Sequence, residues 1–252
     1  MNSLLIWKDF AVYAGPSFST HRHSHFFHQI CLGIDGPFQL KGKDEKLYSY
    51  QSAYIPSGTS HETIGTDTNF IILLVDPLSF GLNLFSEVSV IDGEPACDVS
   101  LFFTHSEIDK YYNIYLNEPE YFRSKLITQL SKIGLGNDFS TDKRILDSIE
   151  KLYLSSDRLT LTELAKRANI STSRFRHLFK EQIGIPLSAY QLWLKTRKAI
   201  LYLVENQKLI EAAYEGGFSD QAHFSRIFRR SFGLNPSEFQ KNKSFTIKIF
   251  KE

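Results

Sequence analysis

Residues 216–239 read GGFSDQAHFSRIFRRSFGLNPSEF, with five phenylalanines, three arginines and glycines near both ends. Phe224, Ile227, Phe228 and Phe232 follow the i, i+3, i+4, i+8 spacing of one helix face, and the polar residues between them fall on the other. Either this is a core helix with a basic outer surface, or the phenylalanines anchor a helix whose arginines meet a polyanion.

A second copy upstream favours the polyanion. A shift of 49 residues maps Phe175, Leu178, Phe179, Ile183, Gly184 and Ile185 onto Phe224, Ile227, Phe228, Phe232, Gly233 and Leu234. Gly184 and Gly233 stand where a helix C-terminus takes a positive φ. Ser171 and Ser219 are the expected N-caps, and Asp220 adds a favourable negative charge to its helix's first turn. A shorter helical pattern precedes each copy, LTELAKRAN at 161–169 and LIEAAYEGG at 209–217, followed by a tight turn. Helix, tight turn and a second helix with a polar outer face make the helix-turn-helix pattern. The second helix of such a unit enters the DNA major groove.

Removing the buried stripe leaves Thr172, Ser173, Arg176, His177 and Lys180 facing out in the first copy, and Gln221, His223, Ser225, Arg226, Arg229 and Arg230 in the second. Arginine suits guanine edges, glutamine suits adenine, and serine or threonine serve bases or phosphates, so these are the candidate DNA contacts. Between the copies, LSAYQLWLKTRKAILYLVE (187–205) predicts one helix, about 28 Å long at ~1.5 Å per residue. Successive major grooves on one face of a duplex lie about 34 Å apart, so one chain has the reach for two turns of DNA.

The whole chain of 252 residues carries a formal charge of only +1, but the charge is unevenly divided. Residues 141–252 hold 20 Lys and Arg against 12 Asp and Glu, while residues 1–140 hold 9 against 16. An acidic half joined to a basic half points to two domains, one of which meets a polyanion. Two cysteines, Cys31 and Cys97, give neither a zinc spacing nor a disulfide framework. The opening MNSLLIWKDFAVYAGPSF has no charged n-region followed by an apolar run, and FIILLV (70–75) is far short of the ~20 residues of a membrane helix. No membrane partner is expected, and the reduced cytoplasm is the expected location.

The basic half resembles the AraC/XylS family of transcription regulators. The resemblance rests on Ala213, Gly217-Phe218, Asp220, FSRIFRR (224–230), Gly233, Pro236 and Phe239, and extends back through residues 161–203. Ala222 stands where the family often has serine, Asn235 precedes the proline, and Phe239-Gln240 replace a typical Tyr-Arg, which removes one phosphate contact. The resemblance implies a domain of two helix-turn-helix units on promoter DNA, coupled to an N-terminal sensing or dimerisation domain, and it carries over no catalytic residues.

The acidic half reads as short strands broken at Asp35-Gly36-Pro37, Pro56-Ser57-Gly58 and Asp76-Pro77. These suggest a small β-barrel or sandwich. Residues 106–134 have helical spacing divided by Pro119, GNDFST (136–141) reads as a linker, and KSFTIKIFKE at the end as a strand or a disordered tail. The expected fold is α+β and multidomain: a cupin-like barrel over 1–100, helices for dimerisation over 101–137, the double helix-turn-helix domain over 138–242, and a tail over 243–252.

Four histidines crowd STHRHSHFFHQICLGIDG, and His61 follows a Pro-x-Gly turn in IPSGTSHE. On a strand, His23, His25 and Gln29 share a face. The set resembles the cupin arrangement in which histidines from two strands share a metal, with Gln29 in place of the usual glutamate and Tyr50 in place of a glycine; His21, His23 and His28 form an overlapping version. One reading is a divalent metal on His23, His25, Gln29 and His61, since three imidazoles suit zinc, iron or copper. The other is a metal-free sensor whose organic effector meets Tyr48, Tyr54, Phe38 and Phe70. The expected partners are double-stranded promoter DNA, a small-molecule effector, RNA polymerase and a second copy of the chain through its tyrosine-rich helices. The rival class is a metal-dependent cupin enzyme fused to a DNA-binding module.

Overall fold

The computed structural model describes residues 2–8, 10–77, 93–133, 141–155, 159–237 and 245–250. Residues 136–140 of the expected linker, Phe239-Gln240 and residues 243, 244, 251 and 252 of the expected tail lie outside them. The chain divides into two compact units, one of residues 1–137 with 225–252 and the other of residues 138–224. Among the described residues no helix is long and apolar enough to cross a membrane.

The first unit is a layered structure built on strands β1 (Asn2–Ile6), β2 (Phe10–Pro16), β3 (His28–Gly33), β4 (Phe38–Lys41), β5 (Leu47–Tyr50), β6 (Ser52–Ile55), β7 (Glu62–Ile64), β8 (Asn69–Val75), β9 (Cys97–Asp98) and β10 (Phe245–Ile249). Its helices are α1 (His105–Asn117) and α2 (Pro119–Ile133). Pro119 opens α2 at its first position, where a missing N–H costs nothing.

Side-chain parity explains the layers. On β8, Ile71, Leu73 and Val75 enter one core with Ile30, Leu32 and Tyr54, and Tyr115, Phe122, Leu126 and Leu130 of α1 and α2 cover that face. Phe70 and Ile72 enter the other core with Cys31, Ala53, Ile55, Phe38 and Leu40. A strand buried on both faces must be apolar at every position, which is why FIILLV shows no alternation.

Of the expected small barrel or sandwich, the described residues form two sheets that do not close into one barrel, one ordered β10-β1-β2-β8-β3-β6-β9 and one ordered β5-β4-β7. The helices cap a face that a closed barrel would leave to solvent. The last strand is an edge strand: β10 runs parallel to β1, pairing Asn2 with Phe245 through Ile6 with Ile249, and Phe250 stacks on Trp7 at 4.5 Å. The alternation in FTIKI is thus that of a strand with one covered face.

The second unit holds α3 (Lys143–Leu154), α4 (Leu161–Arg167), α5 (Thr172–Ile183), α6 (Leu187–Asn206) and α7 (Leu209–Glu215); α8 (Gln221–Phe232) begins in it and ends in the first unit. Phe175, Phe179, Tyr190, Ala199, Leu203, Ala212, Ala213 and Phe224 are fully or almost fully buried. A side chain at Gly216 would meet Ala199 Cβ at 2.7 Å and the Lys195 carbonyl at 2.8 Å, so the α7–α8 turn needs a glycine to lie against α6.

Candidate functional site

The two helix-turn-helix copies match residue for residue, but with two offsets. The first helices, α4 and α7, are related by 48 residues, and so are the turns: Asn169 (φ +53°) and Gly217 (φ +75°) take the left-handed conformation. Their amides donate to the Lys166 and Tyr214 carbonyls, and those of Ile170 and Phe218 donate to the Ala165 and Ala213 carbonyls. The second helices, α5 and α8, are related by 49. One extra residue, Ser219, therefore stands between turn and helix in the second copy.

This corrects the N-cap assignment. Ser171 caps α5, accepting from the Arg174 amide at 3.2 Å. Its counterpart is Asp220, whose carboxylate accepts from the His223 amide at 2.6 Å, while Ser219 donates to Asp220 at 3.0 Å. The C-terminal glycines have the positive φ expected of them, +82° at Gly184 and +68° at Gly233.

Thr172, Ser173, Arg176, His177 and Lys180 are all exposed on α5. On α8, Arg226, Arg229 and Arg230 are exposed, and Gln221, His223 and Ser225 are half-buried. His223 is fixed from two sides, by the Ser219 hydroxyl at 3.3 Å from Nδ1 and by the edge of the Phe218 ring at 5.3 Å. His177 lies 3.9 Å from Glu181 one turn on. The sequence reading passed over Arg174, which is exposed in the first turn of α5; the 49-residue offset, which pairs it with His223, was the signal for it. Joining the copies, α6 has 20 residues and so spans about 30 Å at ~1.5 Å per residue.

In the first unit, His23, His25 and His61 come together, one ring nitrogen of each lying within 4.8 Å of the others. They do not share a strand face. His23 and His25 precede β3 on an irregular segment, and His23 exchanges both backbone hydrogen bonds with His61, each at 2.9 Å, as an isolated bridge. Each Nδ1 faces a backbone carbonyl: His21 for His23 (2.9 Å), Phe27 for His25 (3.0 Å) and Thr59 for His61 (3.0 Å). That puts the proton on Nδ1 and leaves Nε2 with its lone pair.

Burial drives all three well toward the neutral form. The His23 pKa falls to about 3, by burial first and then by His25. Those of His25 and His61 also fall, again chiefly by burial. Among the described residues, His61 Nε2 is buried with no hydrogen-bond partner.

Gln29 lies beside the cluster, its side-chain amide 2.7 Å from His25 Nε2 and 3.0 Å from Cys31 Sγ. The amide oxygen faces His25 Nε2 and the NH2 donates to Cys31 Sγ, so a lone pair on Nε2 calls for the amide to turn over; burial raises the Cys31 pKa to about 12. His28 stands apart, bonded through Nδ1 to the Tyr54 hydroxyl at 2.7 Å, and His21 is exposed. Of the aromatics expected around an organic effector, Phe38, Phe70 and Tyr54 are buried in the two cores, and Tyr48 donates to Asp44 at 2.8 Å.

Residues 164–242 match the family model described as a helix-turn-helix domain. Over 235 residues the chain is 28% identical to the probable transcriptional regulator LumQ of Photobacterium leiognathi, covering 86% of this chain and 91% of that one. It is 29% identical over 102 residues to the arabinose operon regulatory protein of Escherichia coli, which takes in 39% of this chain and 35% of the relative. The chain is thus similar to transcriptional regulators along most of its length and carries a helix-turn-helix domain over residues 164–242. The fold of this chain is like that of ToxT from Vibrio cholerae over nearly its whole length: the unsaturated-fatty-acid-bound structure superposes with a TM-score of 0.55 at 14% identity, covering 92% of this chain and 95% of ToxT. These relatives are regulators, and nothing in them supports the cupin-enzyme alternative.

Proposed function

We propose that the regulator grips about two turns of double-stranded promoter DNA, with α5 and α8 in successive major grooves, and that a small molecule held by its N-terminal unit tunes this binding. The observation that carries the reading is the duplication itself: two helices with apolar residues at matching positions and a basic outer face, in copies joined by one helix of about 30 Å, against the ~34 Å between grooves. The structural neighbour ToxT, seen with an unsaturated fatty acid bound, supports a ligand-responsive N-terminal unit. Thr172, Ser173, Arg176, His177, Lys180, Gln221, His223, Ser225, Arg226, Arg229 and Arg230 form the proposed DNA contact set, to which Arg174 is added.

RNA polymerase and a second copy of the chain complete the proposed partners, acting in the cytoplasm where promoter DNA lies. A dimer through the tyrosine stripe of α1 and α2 would have to use its outer edge, because Tyr115 and Phe122 are packed on the sheet.

The test is competition on duplexes selected from a random pool. If Arg176 and Arg226 reach base edges, Arg176→Ala and Arg226→Ala each cost about 1–3 kcal/mol on the selected site and little on random DNA. Equal losses on both would make these arginines phosphate contacts. No site emerging from selection would sink the reading.

A further inference from the structure

We propose that His23, His25 and His61 bind one divalent transition-metal ion, and that its occupancy is coupled to DNA binding through the C-terminal end of α8. The metal site rests on the histidine geometry alone; the coupling also rests on the DNA-binding reading of α8 above.

Three buried imidazoles with their Nδ1 atoms tied to backbone carbonyls have their tautomers and orientations set by partners outside the cluster, as metal-ligating histidines do. A buried polar atom without a partner is costly, and His61 Nε2 is one, aimed among two other rings whose centroids lie 4.2 and 5.2 Å away. An ion at ~2.0–2.1 Å from each nitrogen needs them about 3.3 Å apart, so closing from the 4.8 Å limit takes small ring movements. At His25 Nε2 the ion replaces the Gln29 amide. Three neutral nitrogens and no carboxylate select zinc-like ions over calcium or magnesium, which want oxygen, and leave a coordination position open.

The link to α8 lies within the first unit. The backbone that carries His23 also caps the end of α8: the His21 amide donates to the Gly233 carbonyl at 2.8 Å and the Ser24 amide to the Arg230 carbonyl at 3.4 Å. These carbonyls are among those a helix end leaves unsatisfied. The fit is tight, for a side chain at Gly233 would run into the His21 carbonyl, lie 2.7 Å from Thr20 Cβ and 2.8 Å from His23 Nδ1. A movement of His23 toward a shared ion is therefore felt by the helix end that carries Arg229 and Arg230.

Coupling between two ligands is reciprocal, so a metal that changes DNA affinity by some factor must have its own affinity changed by the same factor on DNA. The test uses the full chain, stripped by chelator and titrated with Co2+ for its visible spectrum and with Zn2+ for affinity. Wild type, His61→Ala, His25→Ala and Gly233→Ala are compared, with circular dichroism confirming that each is folded. The expected result is one Co2+ per chain with nitrogen-ligand absorption, lost in both histidine variants.

Zn2+ is expected to change the Kd for a selected duplex at least about five-fold, with the matching change in Zn2+ affinity on DNA. Gly233→Ala, which crowds the His21 carbonyl and His23 Nδ1, is expected to weaken both Co2+ binding and the coupling. No stoichiometric metal on wild type, or metal that survives both histidine substitutions, overturns the site. Metal binding with an unchanged DNA affinity overturns the coupling. DNA binding without metal uptake leaves the DNA-binding reading standing, and a Co2+ spectrum without DNA binding under any condition sinks that reading and the coupling but not the metal site.

Discussion

If α5 and α8 both lie against DNA, the affinity must fall steeply with salt, and the structure sets how steeply. The exposed faces of the two helices carry Arg174, Arg176, Lys180, Arg226, Arg229 and Arg230. Each phosphate neutralised on B-DNA contributes about −0.9 to the slope of log affinity against log salt. Six such contacts give a slope near −5, and raising salt from 50 to 200 mM would then weaken binding by about three orders of magnitude. If Arg176 and Arg226 read bases instead, four contacts remain, the slope is near −3.6 and the loss about two orders.

Fluorescence anisotropy with a labelled duplex, across a salt series, measures the slope directly. Lys180→Gln, which removes one exposed cation without touching the buried stripe, should make the slope shallower by about 0.9. A slope shallower than about −1.5 for wild type would refute the argument, because the basic faces would then be solvated surface facing no polyanion. An unchanged slope in Lys180→Gln would remove that lysine from the interface while leaving the others.

Three further outcomes follow from the packing and caps. Phe179→Ala and Phe228→Ala, truncating buried side chains of the two second helices, should each cost about 3–5 kcal/mol in urea unfolding followed by helical circular dichroism. Asp220→Ala should cost about 1 kcal/mol as the loss of an N-cap, and Ser219→Ala clearly less; the reverse order would return the cap to Ser219. In metal-free protein, His28, with its pKa lowered to about 4, should stay neutral when folded and protonate when unfolded below about 6.5. Its contribution is then complete above pH 6.5 and lost as pH falls toward 4, at up to about 1.4 kcal/mol per pH unit, readable as thermal midpoints from pH 7 to 4.

What the sequence made legible was local. The stripe of Phe175, Leu178, Phe179 and Ile183 fixes the buried face of α5 through a period the chain cannot hide, and on α8 Phe224 and Phe228 are buried while Ile227 and Phe232 are half-buried. What stayed hidden was a single residue. With the turns offset by 48 and the second helices by 49, aligning on the phenylalanines alone or on the turn alone gives different caps, and only the backbone shows that Ser219 is the addition.

In the acidic half the strands could be read from their composition but not their partners. Which strands join β8, and that β10 returns to β1, is settled by contacts between residues far apart in sequence, to which a period of two is blind. The histidines show the same limit from the other side. Parity placed His23, His25 and Gln29 on one face of a strand that does not begin until His28, yet His23 and His25 still meet His61, because the bridge between His23 and His61 fixes the irregular segment.

The two copies also differ in a way their shared sequence pattern conceals. Gly184 and Gly233 both end the second helix of a copy, and both hold a left-handed conformation. At Gly184 an added side chain would meet nothing within 4 Å among the described residues, so there the glycine serves its own backbone angle. At Gly233 the same residue type also makes room for Thr20, His21 and His23. A duplicated DNA-binding unit needs two equal helices to hold two grooves, but a regulated one needs a handle on at least one of them. In the coupling proposed above, capping by the histidine segment is that handle, found among the described residues at the second copy. Alanine at 184 should therefore cost stability and leave the response to effectors intact, whereas alanine at 233 should alter the response itself.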